Sequence, residues 1–368
     1  MNITRLKNLA KKVLAIPWIR RVRVFIQSNL SKFLSLSKLF AVPYYLIFSR
    51  KFDREIFAFS HAVRKYNQDL HQVLSSNVVI RRNIHRLEKG LIMENRRDVF
   101  ALDYIRETIE AYERICKTQT EDEVDVGELQ WAHDVLTEYF RVTDRGHKLI
   151  GAMKQRFDAL PEPPGFDCEK VFIPYPSKRR GAVQVPSYEA FMALSTRRRS
   201  VRWFKDQKVP RALVDKALAA AVQSPSACNR QPFSYRIFDD PDMVQEIAQI
   251  PFGTTGFSHN FPMIAVVVGD MSKFFAARDR HVIYIDSSLS IMAFLYALET
   301  LGLSSLTINC QDFSIIENRL KKSLGLKPYE RPILMLAVGY AKDEGMIPFS
   351  CKKPLNRLRI YNTRGGPP

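Results

Sequence analysis

Apolar residues in the first half of the chain recur at the spacing of helices. Between residues 53 and 160 they fall three or four positions apart, and no segment alternates apolar and polar residues as a strand does. Trp131, Val135 and Tyr139, for example, share one helical face. The pattern predicts an all-α region over residues 53–160.

The second half mixes helical and strand patterns. Ser187, Pro210 and Asp240 mark three predicted helix starts. Continuous apolar runs at residues 263–269 and 333–338 indicate strands inside a sheet, and residues 234–238 alternate as a strand does. Residues 283–301 are apolar almost throughout, which predicts a buried core helix. Because strands and helices do not alternate regularly, we expect an α+β domain with a small mixed sheet surrounded by helices.

Proline, glycine and charged residues concentrate between the two halves. Residues 161–186 include P-E-P-P-G and P-Y-P-S-K-R-R-G, a composition typical of linkers. The 368-residue chain is long enough for two domains with cores of their own. We predict a basic amphipathic helical segment at 1–52, a helical domain at 53–160, a linker at 161–186 and an α+β domain at 187–368.

Positive charge is concentrated at the start of the chain. The formal net charge is +18, and residues 1–52 contain eleven Lys or Arg and no Asp or Glu. Ile3, Leu6 and Val13 lie on an apolar stripe opposed by basic residues, which predicts an amphipathic helix. This segment could bind an anionic membrane surface, or it could pack on the second domain or on a partner. Nucleic acid is disfavoured, because no nucleic-acid-binding fold is evident and the basic residues lie among aliphatic side chains.

A membrane crossing is not expected from the apolar runs. The longest run, residues 39–48, is interrupted by Pro43, whereas a crossing needs about 20 apolar residues. The five cysteines are scattered without metal-ligand spacing, which favours reduced thiols and no metal site. We therefore expect a cytoplasmic protein, peripheral on the inner face of the membrane if residues 1–52 bind lipid.

Residues 196–235 carry the main chemical signal. Arg197, Arg198, Arg199 and Arg202 surround Ser200, a density of planar donors that suits a phosphate monoester. After a predicted helix, residues 224–232 read S-P-S-A-C-N-R-Q-P, a loop whose hydroxyl and amide groups favour hydrogen bonding over burial. An anionic ligand is the simplest interpretation.

These motifs resemble the opening of the nitroreductase family, the FMN-dependent α+β flavoenzymes. R-R-S-V-R is followed by a helix starting at V-P and by S-P-S-A-C-N-R-Q-P-F, in the family's order. Three later segments also resemble family motifs. They are N-F-P at residues 260–262, G-L-S-S at 302–305 and P-x-x-x-x-x-x-G-Y at 332–340. The resemblance covers residues 186–362 and implies a nitroreductase-like fold preceded by an all-α region.

The resemblance also implies a binding site for FMN. The arginine motif would hold the phosphate and the near end of the ribityl chain, and the loop at 224–232 would line the isoalloxazine. In the family, residues after the core helix offer backbone groups to the ring, and basic residues near the C-terminus return to the phosphate. The implied FMN-binding residues are Arg198, Arg199, Ser200, Arg202, Pro225, Ser226, Ala227, Asn229, Gln231, Thr307, Ile308, Asn309, Lys352 and Lys353.

The implied activity is a ping-pong reaction. NAD(P)H delivers hydride to the flavin and leaves, and a small-molecule electron acceptor is then reduced in the same space. The family forms homodimers and needs neither a metal nor a protein nucleophile. The chain lacks Gly-x-Gly-x-x-Gly, as expected if the nicotinamide stacks on the flavin. No residue identifies the acceptor or assigns a catalytic role.

Some segments leave an alternative function open. T-I-N-C at residues 307–310 departs from the family's glycine-containing turn. His85 and Glu88, on a predicted helix that Gly90 would end, could perform acid–base work or belong to a salt-bridge network. H-R-L-E-K-G resembles an extended nitroreductase-like subgroup associated with bacterial polysaccharide gene clusters. The alternative is a catalytically inactive nitroreductase-fold scaffold or binding subunit in a membrane-associated polysaccharide assembly.

Overall fold

The computed structural model describes residues 16–49, 52–70, 78–117, 125–161, 165–167 and 169–362. The chain forms two compact units, Met1–Ala58 and Phe59–Pro368. The basic helix predicted around Ile3, Leu6 and Val13 lies outside the described residues.

The described part of the first unit is helical and rich in exposed apolar side chains. Helices α1 (Pro17–Ser35) and α2 (Lys38–Pro43) lead into a π-helical turn, Tyr44–Ser49, and the start of α3 (Asp53–Asp69). Ser37 caps α2, because its hydroxyl oxygen accepts from the N–H of Leu39 at 3.1 Å. The largest exposed apolar side chains include Trp18, Phe25, Ile26, Leu36, Leu39, Ile47 and Phe48.

The second unit begins with a helical region that has its own core. It contains α4 (Val78–Leu91), α5 (Ile105–Lys117), α6 (Val126–Val142) and α7 (Lys148–Asp158). Its fully buried side chains include Ile84, Leu87, Ile109, Tyr112, Leu136, Tyr139 and Phe140. Gly90, which the sequence predicted as the end of a helix, is the second-last residue of α4, which ends at Leu91. A side chain at Gly90 would collide with the ring of Phe100.

A four-stranded antiparallel sheet organises the C-terminal half. Its strands are β1 (Phe233–Phe238), β2 (Met263–Asp270), β3 (Ser304–Asn309) and β4 (Glu330–Gly339), in the order β1-β2-β4-β3. The apolar runs at residues 263–269 and 333–338 are the two central strands, as predicted. The third strand was not predicted, because S-S-L-T-I-N starts directly after the turn at Gly302 and resembled part of that turn.

Helices cover both faces of this sheet. Helix α11 (Val282–Thr300) packs on one face, where Gly269 makes room for Ile283. Alternate residues of β2, such as Ile264 and Val266, form a core with α10 (Pro241–Ala248) and α12 (Ser314–Leu324) on the other face. The structure therefore confirms the mixed α+β class, with a helical region preceding the half that contains the sheet.

The core helix is buried on one side only. Ile285 and Leu289 of α11 are exposed, whereas Ile291 and Phe294 are buried. Among the described residues, one helix, 277–300, is long and apolar enough to cross a membrane by length and composition. Because the sheet packs against it, its apolar character is that of a core helix.

Two further helices precede the sheet. Helix α8 (Tyr188–Arg197) is capped by Ser187, whose hydroxyl oxygen accepts from the N–H of Ala190, and α9 (Arg211–Ala221) follows Pro210, as predicted. Short 3-10 segments occur at Ser177–Ala182, Ala227–Asn229, Phe252–Thr254, Ser258–Asn260, Met271–Lys273, Ala277–Asp279 and Leu355–Arg357.

Candidate functional site

Backbone pairing fixes the arginine motif at one end of the sheet. Ser200 forms a parallel bridge with Ser305 at the start of β3, and the N–H of Val201 donates to the Ser305 carbonyl at 3.0 Å. A little further on, the N–H of Lys205 donates to the Tyr340 carbonyl at 2.7 Å. The motif is thus held between β3 and the chain that leaves β4.

Asn260 braces the same segment from its other side. Its Oδ1 accepts from the N–H of Phe204 at 2.7 Å, and its Nδ2 donates to the Arg202 carbonyl at 3.0 Å. Asn260 begins the N-F-P segment that resembles a family motif, and the sequence alone indicated no role for it. Its two hydrogen bonds orient the backbone that carries Arg202.

Three guanidinium groups of the motif have no acidic partner in the part of the chain that the structure describes. Among the described residues, no carboxylate lies within ion-pair distance of Arg198, Arg199 or Arg202, and Nε of Arg198 is buried without a hydrogen-bond partner. Arg197 differs, because its Nε donates to Glu299 Oε1 at 2.8 Å. An uncompensated cluster of planar donors with one buried donor unsatisfied fits an anionic group such as a phosphate.

The C-terminal segment returns to this cluster. Nη2 of Arg199 donates to the Pro348 carbonyl at 2.7 Å and also to the carbonyl of Phe349. Lys352 and Lys353 follow shortly after and are exposed. The predicted terminal lysines therefore lie on a segment that passes the predicted phosphate-binding residues.

Strand β3 presents backbone groups beside the same cluster. The Ser305 carbonyl accepts from Val201, so it points away from β4. Because backbone groups alternate along an antiparallel strand, those of Thr307 and Asn309 point the same way. The side chain of Ile308 lies in the hydrophobic core, so this residue could not contact a ligand through its side chain.

The loop at residues 224–231 is held by the other end of α11. The N–H of Ala227 donates to Asp286 Oδ2 at 2.9 Å, and the hydroxyl of Ser224 donates to the Leu289 carbonyl at 3.3 Å. Asp286 is buried, and burial raises the pKa of its carboxyl. No role was predicted for Asp286 from the sequence, although a single acid inside the apolar run at 283–298 could have indicated one.

The loop also bonds to itself and adopts a strained backbone. Ser226 Oγ accepts from the N–H of Gln231 at 3.1 Å, and Gln231 Nε2 donates to Asn229 Oδ1 at 3.3 Å. The hydroxyl hydrogen of Ser226 and the side-chain amide hydrogens of Asn229 are not used by these bonds. Three residues of the loop have left-handed φ angles, Cys228 at 52°, Asn229 at 51° and Gln231 at 47°. Such angles are costly for residues with a side chain and concentrate at functional sites.

The two halves of the predicted site lie far apart within one chain. The arginine motif contacts α11 near Glu299, and the loop contacts it at Asp286. These contacts are about 20 Å apart along the helix, since each helical residue adds about 1.5 Å. The structure brings Arg198, Arg199, Ser200 and Arg202 together with β3 and the C-terminal segment. It does not bring them to the loop of Pro225, Ser226, Ala227, Asn229 and Gln231.

The His85 and Glu88 pair lies on α4, within the helical region. His85 Nδ1 is 3.3 Å from Glu88 Oε2, and Trp131 Nε1 donates to Glu88 Oε1 at 3.0 Å. Glu88 and Trp131 line an open cavity of about 1400 Å³ with the segment 169–185, which brings Lys178 and Arg179 to it. Both interpretations of the pair, acid–base work or an ion-pair network, stay predictions.

The sequence is similar to known proteins. Residues 196–255 and 251–340 match the model of the Nitroreductase family. Iodotyrosine deiodinase 1 of Pongo abelii is 25% identical over 217 residues, which span 50% of this chain and 72% of that protein. Iodotyrosine deiodinase of Haliscomenobacter hydrossis is 25% identical over 206 residues, 48% of this chain and 91% of that protein.

Solved structures also resemble part of the chain. An FMN-dependent nitroreductase from Clostridium difficile superposes with a TM-score of 0.41 at 21% identity, covering 47% of this chain and 99% of that one.

Proposed function

We propose that the nitroreductase-family domain in the C-terminal half of this chain is an FMN-dependent oxidoreductase that carries electrons from NAD(P)H to a small-molecule acceptor. One observation supports this most strongly. Arg198, Arg199 and Arg202 have no carboxylate within ion-pair distance among the described residues, and they belong to the segment that pairs with β3 at the end where its backbone groups point outward.

The residues present fit FMN. Arg198, Arg199, Ser200 and Arg202, together with Lys352 and Lys353, would hold the phosphate by charge-assisted hydrogen bonds. The outward backbone groups of Thr307 and Asn309 would face the ring or the ribityl chain. When bound, FMN supplies a flavin that accepts hydride from a nicotinamide and passes reducing equivalents on. The protein contributes position and electrostatics.

A second copy of the chain would complete the site. The loop of Ser226 and Asn229 is about 20 Å from the arginine motif along α11, so it would serve the flavin of a partner in a symmetric homodimer. Apolar side chains on α8 and α11 are exposed in the single chain and supply a surface for such pairing. They include Tyr188, Phe191, Ile285 and Leu289.

The absorbance spectrum of the purified full chain tests the proposal. We expect flavin bands in the visible range that bleach on anaerobic addition of NADPH or NADH and return when an acceptor is added. Halogenated tyrosines are the first acceptors to assay, because relatives bear the name iodotyrosine deiodinase. A chain purified without flavin that takes up none when supplied would refute the proposal. Bound flavin that NAD(P)H does not reduce would favour the scaffold function or a different electron donor.

We further propose that the first unit attaches the protein to the cytoplasmic face of a membrane. Residues 16–49 expose aromatic and aliphatic side chains such as Trp18, Phe25 and Phe48, and this stretch contains basic residues but no acidic ones. Exposed apolar groups interleaved with positive charge match an interface of acyl chains and anionic headgroups.

A further inference from the structure

The helical region packs directly against the loop predicted to line the flavin. Nη1 of Arg81, on α4, donates to the backbone carbonyl of Asn229 at 3.1 Å. Nε of the same guanidinium donates to Glu128 Oε2, on α6, at 2.6 Å. Both side chains are largely buried, at 15% and 5% exposure. One arginine therefore ties the loop to two helices of a region that the sequence assigned to a separate domain.

The bonded carbonyl belongs to the strained part of the loop. Asn229 follows Cys228, and both have left-handed φ angles near 50°. A conformation of this kind persists only when its surroundings hold it in place. Asp286 holds the loop at Ala227 from the core-helix side, and Arg81 holds it at Asn229 from the helical-region side.

Further contacts join the loop, the segment after β2 and the helical region. The Arg230 side chain is buried, its Nη1 donates to the Lys273 carbonyl at 2.8 Å, and its guanidinium carbon lies 4.7 Å from the centre of the Phe274 ring. The ring of Tyr66, from α3, lies 5.5 Å from that of Phe275. The loop and the segment after β2 thus form one packed surface with the helical region.

We propose that the helical region is an integral part of the flavin site, and that Arg81 is a positioning residue that fixes the geometry of the loop at Asn229. If the helical region fixes the loop, the helices beside the loop set the affinity of the chain for flavin. This consequence rests on the proposed function. The proposal also gives a role to R-R-N-I-H-R-L-E-K-G, whose Arg81 reaches the loop directly.

Amide hydrogen exchange of the full chain measures the loop without requiring flavin. The amides of Ala227, Asn229, Arg230 and Gln231 donate to Asp286, Ser226 or Ala227, so they exchange slowly while the loop keeps its shape. Arg81→Lys keeps a positive charge but loses the fork that joins two acceptors. Arg81→Met with Glu128→Gln removes both buried charges together, which avoids leaving one unpaired.

In both variants we expect exchange of residues 226–231 to become roughly tenfold faster or more, and FMN to bind more weakly by a similar factor. Arg86→Lys is the matched control, because Arg86 lies on the same helix but stacks on Tyr104, with its guanidinium carbon 3.6 Å from the ring centre. It should leave loop exchange and FMN affinity unchanged.

Two results would overturn the proposal. One is unchanged loop exchange in both Arg81 variants. The other is faster exchange in the loop with unaltered FMN affinity, which would show that the conformation of the loop does not affect FMN binding. A wild-type chain that binds no FMN would reject the proposed function instead, while the exchange comparison would still measure the Arg81 contact.

Discussion

Arg197 and Arg198 are neighbours in the chain, yet their guanidinium groups have opposite surroundings. Arg197 Nε donates to Glu299 Oε1 at 2.8 Å, whereas Nε of Arg198 is buried with no hydrogen-bond partner among the described residues. The first arginine is paired by α11, whereas the second keeps a buried donor unsatisfied. This contrast predicts a structural role for Arg197 and a ligand-binding role for Arg198.

Replacing Arg198 should weaken FMN binding. In Arg198→Met we expect the dissociation constant of FMN to rise roughly 10- to 150-fold, because a hydrogen bond to a charged group contributes about 1.5–3 kcal/mol. The apoprotein should be at least as stable as the wild type, since the buried donor has no partner to lose. Fluorescence titration and thermal unfolding measure the two quantities.

The control for this experiment is Arg197→Met, which should leave FMN affinity nearly unchanged. Riboflavin, which lacks the phosphate, should bind the wild type and Arg198→Met equally. Equal losses for FMN and riboflavin would show that Arg198 does not contact the phosphate.

Mixed dimers should recover activity if the two halves of the site come from different chains. Asn229→Gly removes a predicted donor, and glycine accepts the φ of 51° without strain. We expect Arg198→Met and Asn229→Gly to be weakly active alone, and their reassembled mixture to reach about a quarter of the wild-type rate, since half of the randomly paired dimers contain one intact site. Mixing without any gain would show that both halves act within one chain.

Asp286 should make stability depend on pH. Burial raises the pKa of its carboxyl above the ordinary value of 3.8, while the N–H of Ala227 and the charge of Arg230 act in the opposite direction. The folded chain then holds this proton more tightly than the unfolded chain, so stability falls as the pH rises from 3.8 through the folded-state pKa.

The variant Asp286→Asn keeps an acceptor oxygen for Ala227 but does not ionise. Relative to the wild type it should gain stability as the pH rises through that window, and the difference should be smallest below pH 3.8. Urea unfolding at several pH values measures this, with the exposed Asp343 replaced by Asn as the control. A stability difference that is the same at every pH would contradict the expectation.

Removing residues 1–52 should abolish binding to anionic vesicles. Each Lys or Arg near such a surface contributes about 1 kcal/mol, and the attraction is screened over about 8 Å at physiological salt. We expect the full chain to sediment with phosphatidylserine-containing vesicles, less so as salt rises, and the shortened chain to stay in solution with its flavin. Equal binding to neutral vesicles at high salt would contradict the electrostatic part.

The sequence predicted the secondary-structure elements of the C-terminal half better than it predicted the tertiary contacts between them. The two central strands and the caps at Ser187 and Asp240 follow from local patterns, and the structure confirms them. The strand at Ser304–Asn309 was missed because it is short, lies at a sheet edge and begins at a turn.

Contacts between distant parts of the chain could not be predicted. Arg81 and Asn229 are 148 positions apart, and no local pattern indicates that they meet. The left-handed angles at Cys228 and Asn229 were equally hidden, because neither residue is glycine. The pairing of Arg197 rather than Arg198 with Glu299 depends on how α8 lies on α11, which residue spacing does not specify.

Because α11 is continuous, an insertion in this helix should have a different effect from an insertion in a surface loop. Its 19 residues run unbroken from the end that holds the loop to the end that holds the arginine motif. In a symmetric homodimer, the length of this helix would set the distance between the two flavin sites. One extra turn would lengthen that interval by about 5.4 Å and move both pockets out of register, whereas an insertion in a surface connection would leave it unaltered.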